Sequence, residues 1–163
     1  MRHVKTLTMV SIVALFFLLV GGEIAMSYET KPVHTFSEGL APAGNNGEMF
    51  HITYGGVPAY SERYKWVGDF REGLARVIKN EEMFHITHDG APAYHERYDW
   101  VGNFSEGRVR VVKNEEEFHI THGGTPAYPE RYKSVGKFME GFAFVRKDEK
   151  WFQITHDGKI QQE

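Results

Sequence analysis

The chain has 163 residues, of which 41% are hydrophobic and 14% aromatic, and it carries a net charge of -3. That length holds one domain or a short repeat array, and that apolar share is enough to bury a core, which excludes a disordered chain. Lys and Arg are scattered among Asp and Glu without a basic stripe, leaving no footprint for nucleic acid, and the absence of cysteine removes disulfides, thiolate nucleophiles and thiolate metal sites.

At the amino terminus, Arg2 and Lys5 precede an uncharged run from Thr6 to Gly22, rich in Val, Leu and Phe, and Ala25-Met26-Ser27 then offers a small-x-small cleavage pattern. This is the layout of a secretory signal peptide. Residues 1–27 are expected to be a cleaved signal or, if retained, a membrane anchor. In either case residues 28–163 are exported to the periplasm, cell surface or extracellular space, and the membrane is touched only through that segment.

Repetition organises the rest of the chain. Phe36-Ser37-Glu38-Gly39 returns as Phe70-Arg71-Glu72-Gly73, Phe104-Ser105-Glu106-Gly107 and Phe138-Met139-Glu140-Gly141, each step being 34 residues. Phe50-His51-Ile52-Thr53 recurs in the same register and ends as Phe152-Gln153-Ile154-Thr155. The expected units are 36–69, 70–103, 104–137 and a truncated 138–163.

A 34-residue period also suits paired helices, so local pattern decides. In the second unit Ala75 and Val77 alternate with Leu74, Arg76 and Ile78. A turn at Lys79 to Glu82 follows, and then Phe84 and Ile86 alternate with His85 and Thr87. This is a β-hairpin. Asp89-Gly90 supplies turn chemistry, Ala91–Tyr94 reads as a short third strand with Pro92 at an edge, and Glu96–Asn103 reads as a link. No unit offers a capped helical run. The fold class is therefore all-β, with tandem hairpin repeats stacked into a solenoid, a roll or a small propeller-like array, because one hairpin cannot bury its apolar face alone.

Phe70-Arg71-Glu72-Gly73-Leu74-Ala75, the hairpin after it, and Lys150-Trp151-Phe152 together resemble the WG-repeat family of bacterial proteins, over about residues 36 to 160. The Trp-Gly pair of that family is Trp151-Phe152 in one copy and Met49-Phe50, Met83-Phe84 or Glu117-Phe118 in the others, the pattern of a divergent branch. The resemblance implies a β-repeat scaffold with no shared catalytic activity, and it transfers no catalytic residue.

Comparing copies within the chain sorts the remaining residues. The repeated Phe and Ile positions are apolar and belong to the core. Glu38, Glu72, Glu106 and Glu140 recur before a turn Gly, and Arg63, Arg97 and Arg131 recur in the link, which suggests a Glu–Arg ladder in preference to acid–base chemistry. His85, His88, His119 and His122 recur near one hairpin and are the candidate metal ligands. The alternation nevertheless turns His85 to the face opposite the core, into a solvated or hydrogen-bonded row that Gln153 breaks. Tyr64, Trp66, Tyr98, Trp100 and Tyr132 either stack on a glycan or pack between repeats. Leu74 and Arg76 become Arg108 and Arg110 and then Phe142 and Phe144, so one strand face changes chemistry on a fixed scaffold, as a face that reads a specific partner would.

The sequence has none of the short nucleophile, metalloprotease or phosphate-loop motifs of enzymes. The expected function is an exported, non-catalytic scaffold, without a cofactor, for a protein or cell-envelope glycan. A glycan-binding or metal-binding surface is the alternative.

Overall fold

A computed structural model describes residues 35–161, and residues 1–27, expected to carry the export signal, lie outside them. Among the described residues there is no helix long and apolar enough to cross a membrane.

Every repeat is built on the expected hairpin. The strands are β1 (Leu40–Asn45) and β2 (Glu48–Thr53); β3 (Trp66–Arg71), β4 (Leu74–Lys79) and β5 (Glu82–Ile86); β6 (Trp100–Val101), β7 (Val109–Lys113) and β8 (Glu116–Ile120); and β9 (Ser134–Val135), β10 (Phe142–Lys147) and β11 (Lys150–Thr155). They form four small antiparallel sheets in chain order, one with two strands and three with three.

Two turns close each unit. Glu38-Gly39 and its equivalents form two-residue loops with positive φ at both residues, 51° and 82° in the first copy, and Ser37 and Leu40 exchange backbone hydrogen bonds across it. Such turns match the right-handed twist of the strands they join. At the hairpin tip the first unit uses Asn46-Gly47, whereas the next two place Asn80-Glu81 and Asn114-Glu115 in the same left-handed region.

The third strand of each sheet is not where the sequence suggested. Ala91–Tyr94 makes only an isolated bridge, Ile86 with Pro92, because proline has no N–H to continue a ladder. The segment expected to be a link supplies the strand instead. After Pro58 the chain runs back along β2, exchanges backbone hydrogen bonds between Tyr64 and Met49, and then enters the next sheet as β3, where Trp66 pairs with Ile78. Each link therefore covers one sheet's edge and opens the following sheet, leaving little unpaired edge.

The core follows from this threading. Ala75, Val77, Phe84 and Ile86 share one face of their sheet by register and are buried, with Tyr64 of the preceding link standing edge-on to Phe84 at 6.2 Å. The opposite face carries Arg76, Ile78, Met83 and His85, and it too is covered, by the first strand of the next sheet. Sheets with one face buried and the second partly covered by the next sheet make a stack that is continuous from unit to unit.

Candidate binding surface

The contact between successive sheets is built around an imidazole. His51, His85 and His119 are almost wholly buried, and each bonds through Nδ1 to a tyrosine hydroxyl of its own repeat: Tyr60 at 2.5 Å, Tyr94 at 2.6 Å and Tyr128 at 2.5 Å. Each Nε2 meets a backbone carbonyl of the next sheet: Gly68 at 2.8 Å, Gly102 at 2.9 Å and Gly136 at 2.7 Å. A carbonyl only accepts, so Nε2 carries the proton, and the neutral ring takes the tyrosine O–H on Nδ1. Desolvation by burial keeps the rings neutral, lowering His85 and His119 to about 4 and shifting His51 in the same direction. Burial likewise pushes the Tyr60, Tyr94 and Tyr128 phenols up, so they stay protonated donors. The carbonyl of Gly68 is aimed at His51 from a register shift in β3 between Val67 and Phe70.

Of the two states expected for the histidine row, solvated or hydrogen-bonded, the structure shows the second, with the rings buried. Both ring nitrogens of His85 and His119 are occupied, and their partners in the metal reading stand elsewhere. His88 lies flat on Phe70 and His122 on Phe104, with ring centroids 4.2 Å apart in both pairs. Among the described residues no group of three His, Cys, Asp or Glu is placed to hold a metal ion.

The Glu–Arg ladder is replaced by two separate arrangements. Glu38, Glu72 and Glu106 each accept the backbone N–H of a turn glycine in the next repeat, Gly73, Gly107 and Gly141, at 3.0, 2.8 and 2.9 Å. Their carboxylates also approach His88, His122 and His156 at 3.4, 3.6 and 3.3 Å. Arg63, Arg97 and Arg131 instead hold their own link together, each donating to three successive carbonyls, and they lie over Phe50, Phe84 and Phe118. Beside Arg63 and Arg97 open two clefts of about 200 and 260 Å³.

The aromatic residues considered for sugar stacking are junction residues. Tyr64 and Tyr98 are buried and donate their hydroxyls to the carbonyls of Gly90 and Gly124, 2.7 and 2.8 Å away in the next repeat, and Tyr132 is buried as well. Trp66 and Trp100 are half-buried under the guanidinium groups of Arg76 and Arg110. No open aromatic platform is left at these five positions.

The variable strand face is likewise a junction face in the inner repeats. Leu74 is buried, Arg76 donates to the carbonyl of Val101, and Arg110 pairs with Glu117 at 3.1 Å while Glu117 accepts the N–H of Val135. Arg108 is half-buried. The exchange of Arg76 and Met83 for Arg110 and Glu117 is thus a change of partners within a junction.

The fourth sheet differs. Register puts Phe144 opposite Gln153 and Arg146 opposite Trp151 on the face that is covered in every earlier unit. Among the described residues nothing covers it here: Phe144 is 60% exposed, Trp151 58% and Met139 57%, with Phe142 half-buried beside them. Phe142 and Phe144 were legible as variable positions, whereas Trp151 and Met139 were not assigned to that face. The step of 34 that aligns Trp151 with Met83 and Glu117 would have found the tryptophan.

A stack of small antiparallel sheets joined by repeated junctions, with the junction face of the fourth sheet left open among the described residues, defines a β-repeat scaffold. The chain belongs to the WG-repeat family: the family model, described as WG containing repeat, matches residues 63–82, 96–116 and 124–151. In fold the chain is similar to a solved structure described as "KlHsv2 with loop 6CD replaced by a Gly-Ser linker", at a TM-score of 0.52 and 8% identity, over 80% of this chain and 50% of that one. The chain thus spans half the length of that structure, and at such identity the likeness is one of fold alone. No curated protein matches the sequence.

Proposed function

We propose that the chain is an exported, non-catalytic repeat scaffold that binds a protein through the open face of its fourth sheet. The observation that carries this reading is the exposure of Phe144 and Trp151 at positions whose equivalents are occupied in each inner junction. Aromatic side chains dominate the energy of protein interfaces, and an uncovered aromatic cluster beside Arg146 and Gln153 has that composition. A protein is preferred over a glycan because the tyrosines that could have stacked on sugars are spent within the array. The repeated carboxylates and buried imidazoles are likewise committed to junctions, which supports a non-catalytic role. Export rests on the basic-then-apolar segment before Tyr28.

The test is a photo-crosslinking residue placed at position 151 in expressing cells. A discrete protein adduct that disappears with Phe144→Asp is the expected result, and the absence of any adduct would count against the reading. Mass spectrometry of the mature amino terminus examines export separately. A start at Tyr28 marks a cleaved signal, an intact Met1 in the membrane fraction marks an anchor, and an intact chain in the cytosol contradicts export.

A further inference from the structure

We propose that the open face of the fourth sheet receives the first repeat of a second copy of this chain, so that copies join head to tail through the junction already used between repeats. This rests on the reading of that face as a binding surface and names its occupant.

Three inner junctions share one plan. An incoming Phe70, Phe104 or Phe138 packs on the buried histidine of the preceding sheet at 4.6, 4.9 and 4.6 Å between ring centroids. The same ring stacks on a histidine of its own repeat, and that histidine reaches back to the preceding glutamate. The glutamate also accepts an incoming glycine N–H.

The parts of one more such junction that fall among the described residues stand open on both sides. On the receiving side, Glu140 occupies the glutamate position and Gln153 the buried-histidine position, flanked by Phe144 and Trp151. On the incoming side, Phe36 stacks on Tyr54 at 4.2 Å and 18°, almost the arrangement of Phe138 on His156 at 4.3 Å and 18°. Tyr54 thus stands where the inner repeats place the histidine that meets the glutamate. It is 77% exposed, and its O–H can donate to the Glu140 carboxylate of another copy, as can the Gly39 N–H, whose equivalents Gly73, Gly107 and Gly141 donate to the preceding glutamate.

The incoming side is preorganised, because Phe36 and Tyr54 are already stacked. The receiving side is more apolar than its inner equivalents, with Phe144 and Trp151 in place of Arg110 and Glu117. That exchange favours burying the face over leaving it in water. A tail-to-tail contact would use Phe144 and Trp151 but leave the Phe36–Tyr54 pair and Glu140 without a role. The head-to-tail contact uses all of them, and because its two surfaces differ it extends to open chains or closes into rings.

The experiment uses the full chain in mild detergent, with sedimentation velocity across a concentration series. The wild type is expected to gain mass with concentration. Trp151→Asp and Tyr54→Asp, both at exposed positions, are each expected to weaken association on the order of thirtyfold, with circular dichroism and melting unchanged. Mixing the two variants should restore a dimer and nothing larger, since only one intact head and one intact tail remain. A wild type that stays monomeric overturns the proposal, as does a Tyr54→Asp chain that associates normally or a mixture that stays monomeric. If the wild type is monomeric while the residue-151 crosslink still captures a different protein in a Phe144-dependent way, self-association fails and the binding reading stands. If no adduct of any kind forms, both fail.

Discussion

The buried imidazole ties neighbouring sheets together through both of its ring nitrogens. His119 joins the Tyr128 hydroxyl to the carbonyl of Gly136, so its removal leaves two buried polar groups unpaired as well as a cavity. His119→Ala is expected to cost about 3 kcal/mol or more in urea unfolding, and a loss under 1 kcal/mol would mean that the bond pair contributes little. The same rings set a pH dependence. His85 and His119 titrate at about 4 in the fold against 6.5 when free, so the unfolded chain holds more protons between those values. Stability is therefore complete above pH 6.5, falls as pH drops through that window, and stops falling from this source below pH 4. The loss at pH 4.5 is on the order of 2 to 3 kcal/mol for each ring, measurable as a shift in urea midpoint between pH 7.5 and 4.5. A flat profile would show that the rings are solvated after all. Gly124 is a second sensitive point, because its φ is +80° and an added Cβ would meet the Tyr94 ring at 2.5 Å. Gly124→Ala should cost about 2 kcal/mol or more, since both left-handed strain and overlap act at a packed junction. Thermal melting reads it, and a change within experimental error would be the contrary outcome.

Among the elements, the hairpins were the most legible part of the chain. The alternation in Leu74–Lys79 and Glu82–Ile86 places both strands, because a period of two is a local property of sequence. The third strand was not legible. Trp66–Arg71 contains Gly68 and is interrupted by a bulge, so its alternation is spoiled where its carbonyl turns toward His51. Pro92 made Ala91–Tyr94 look like an edge strand when it only bridges one. The tips carry a stability prediction. Glu81 and Glu115 sit at φ of 66°, where the first hairpin uses Gly47. Glu81→Gly should then stabilise the protein by up to about 1 kcal/mol, provided that relief of left-handed strain exceeds the added entropy of the unfolded chain. A lowered melting temperature would show that entropy wins.

For the whole molecule, each sheet is stabilised mainly by its neighbours, so damage should spread along the stack by adjacency. His85→Ala removes the bond to Gly102 between the second and third sheets, and hydrogen exchange should lose protection first in β4, β5 and β7 and later in β10 and β11. Uniform loss across all four sheets would indicate a single cooperative unit. Trp151→Asp on the open face should leave exchange in the inner strands β4, β5, β7 and β8 unchanged, which separates binding from folding.

The sequence alone determined the 34-residue period, the hairpins, the turn positions and the family resemblance, because repetition, alternation and turn chemistry act over a few residues at a time. It also marked the positions whose chemistry varies from copy to copy. Only the tertiary structure decided what each strand face meets, because alternation distinguishes two faces without stating what covers either. Stacking buries the second face in the inner repeats, turning His85, Arg76 and Tyr64 into junction residues, and leaves the same face open at Phe144 and Trp151 where no further sheet among the described residues lies upon it.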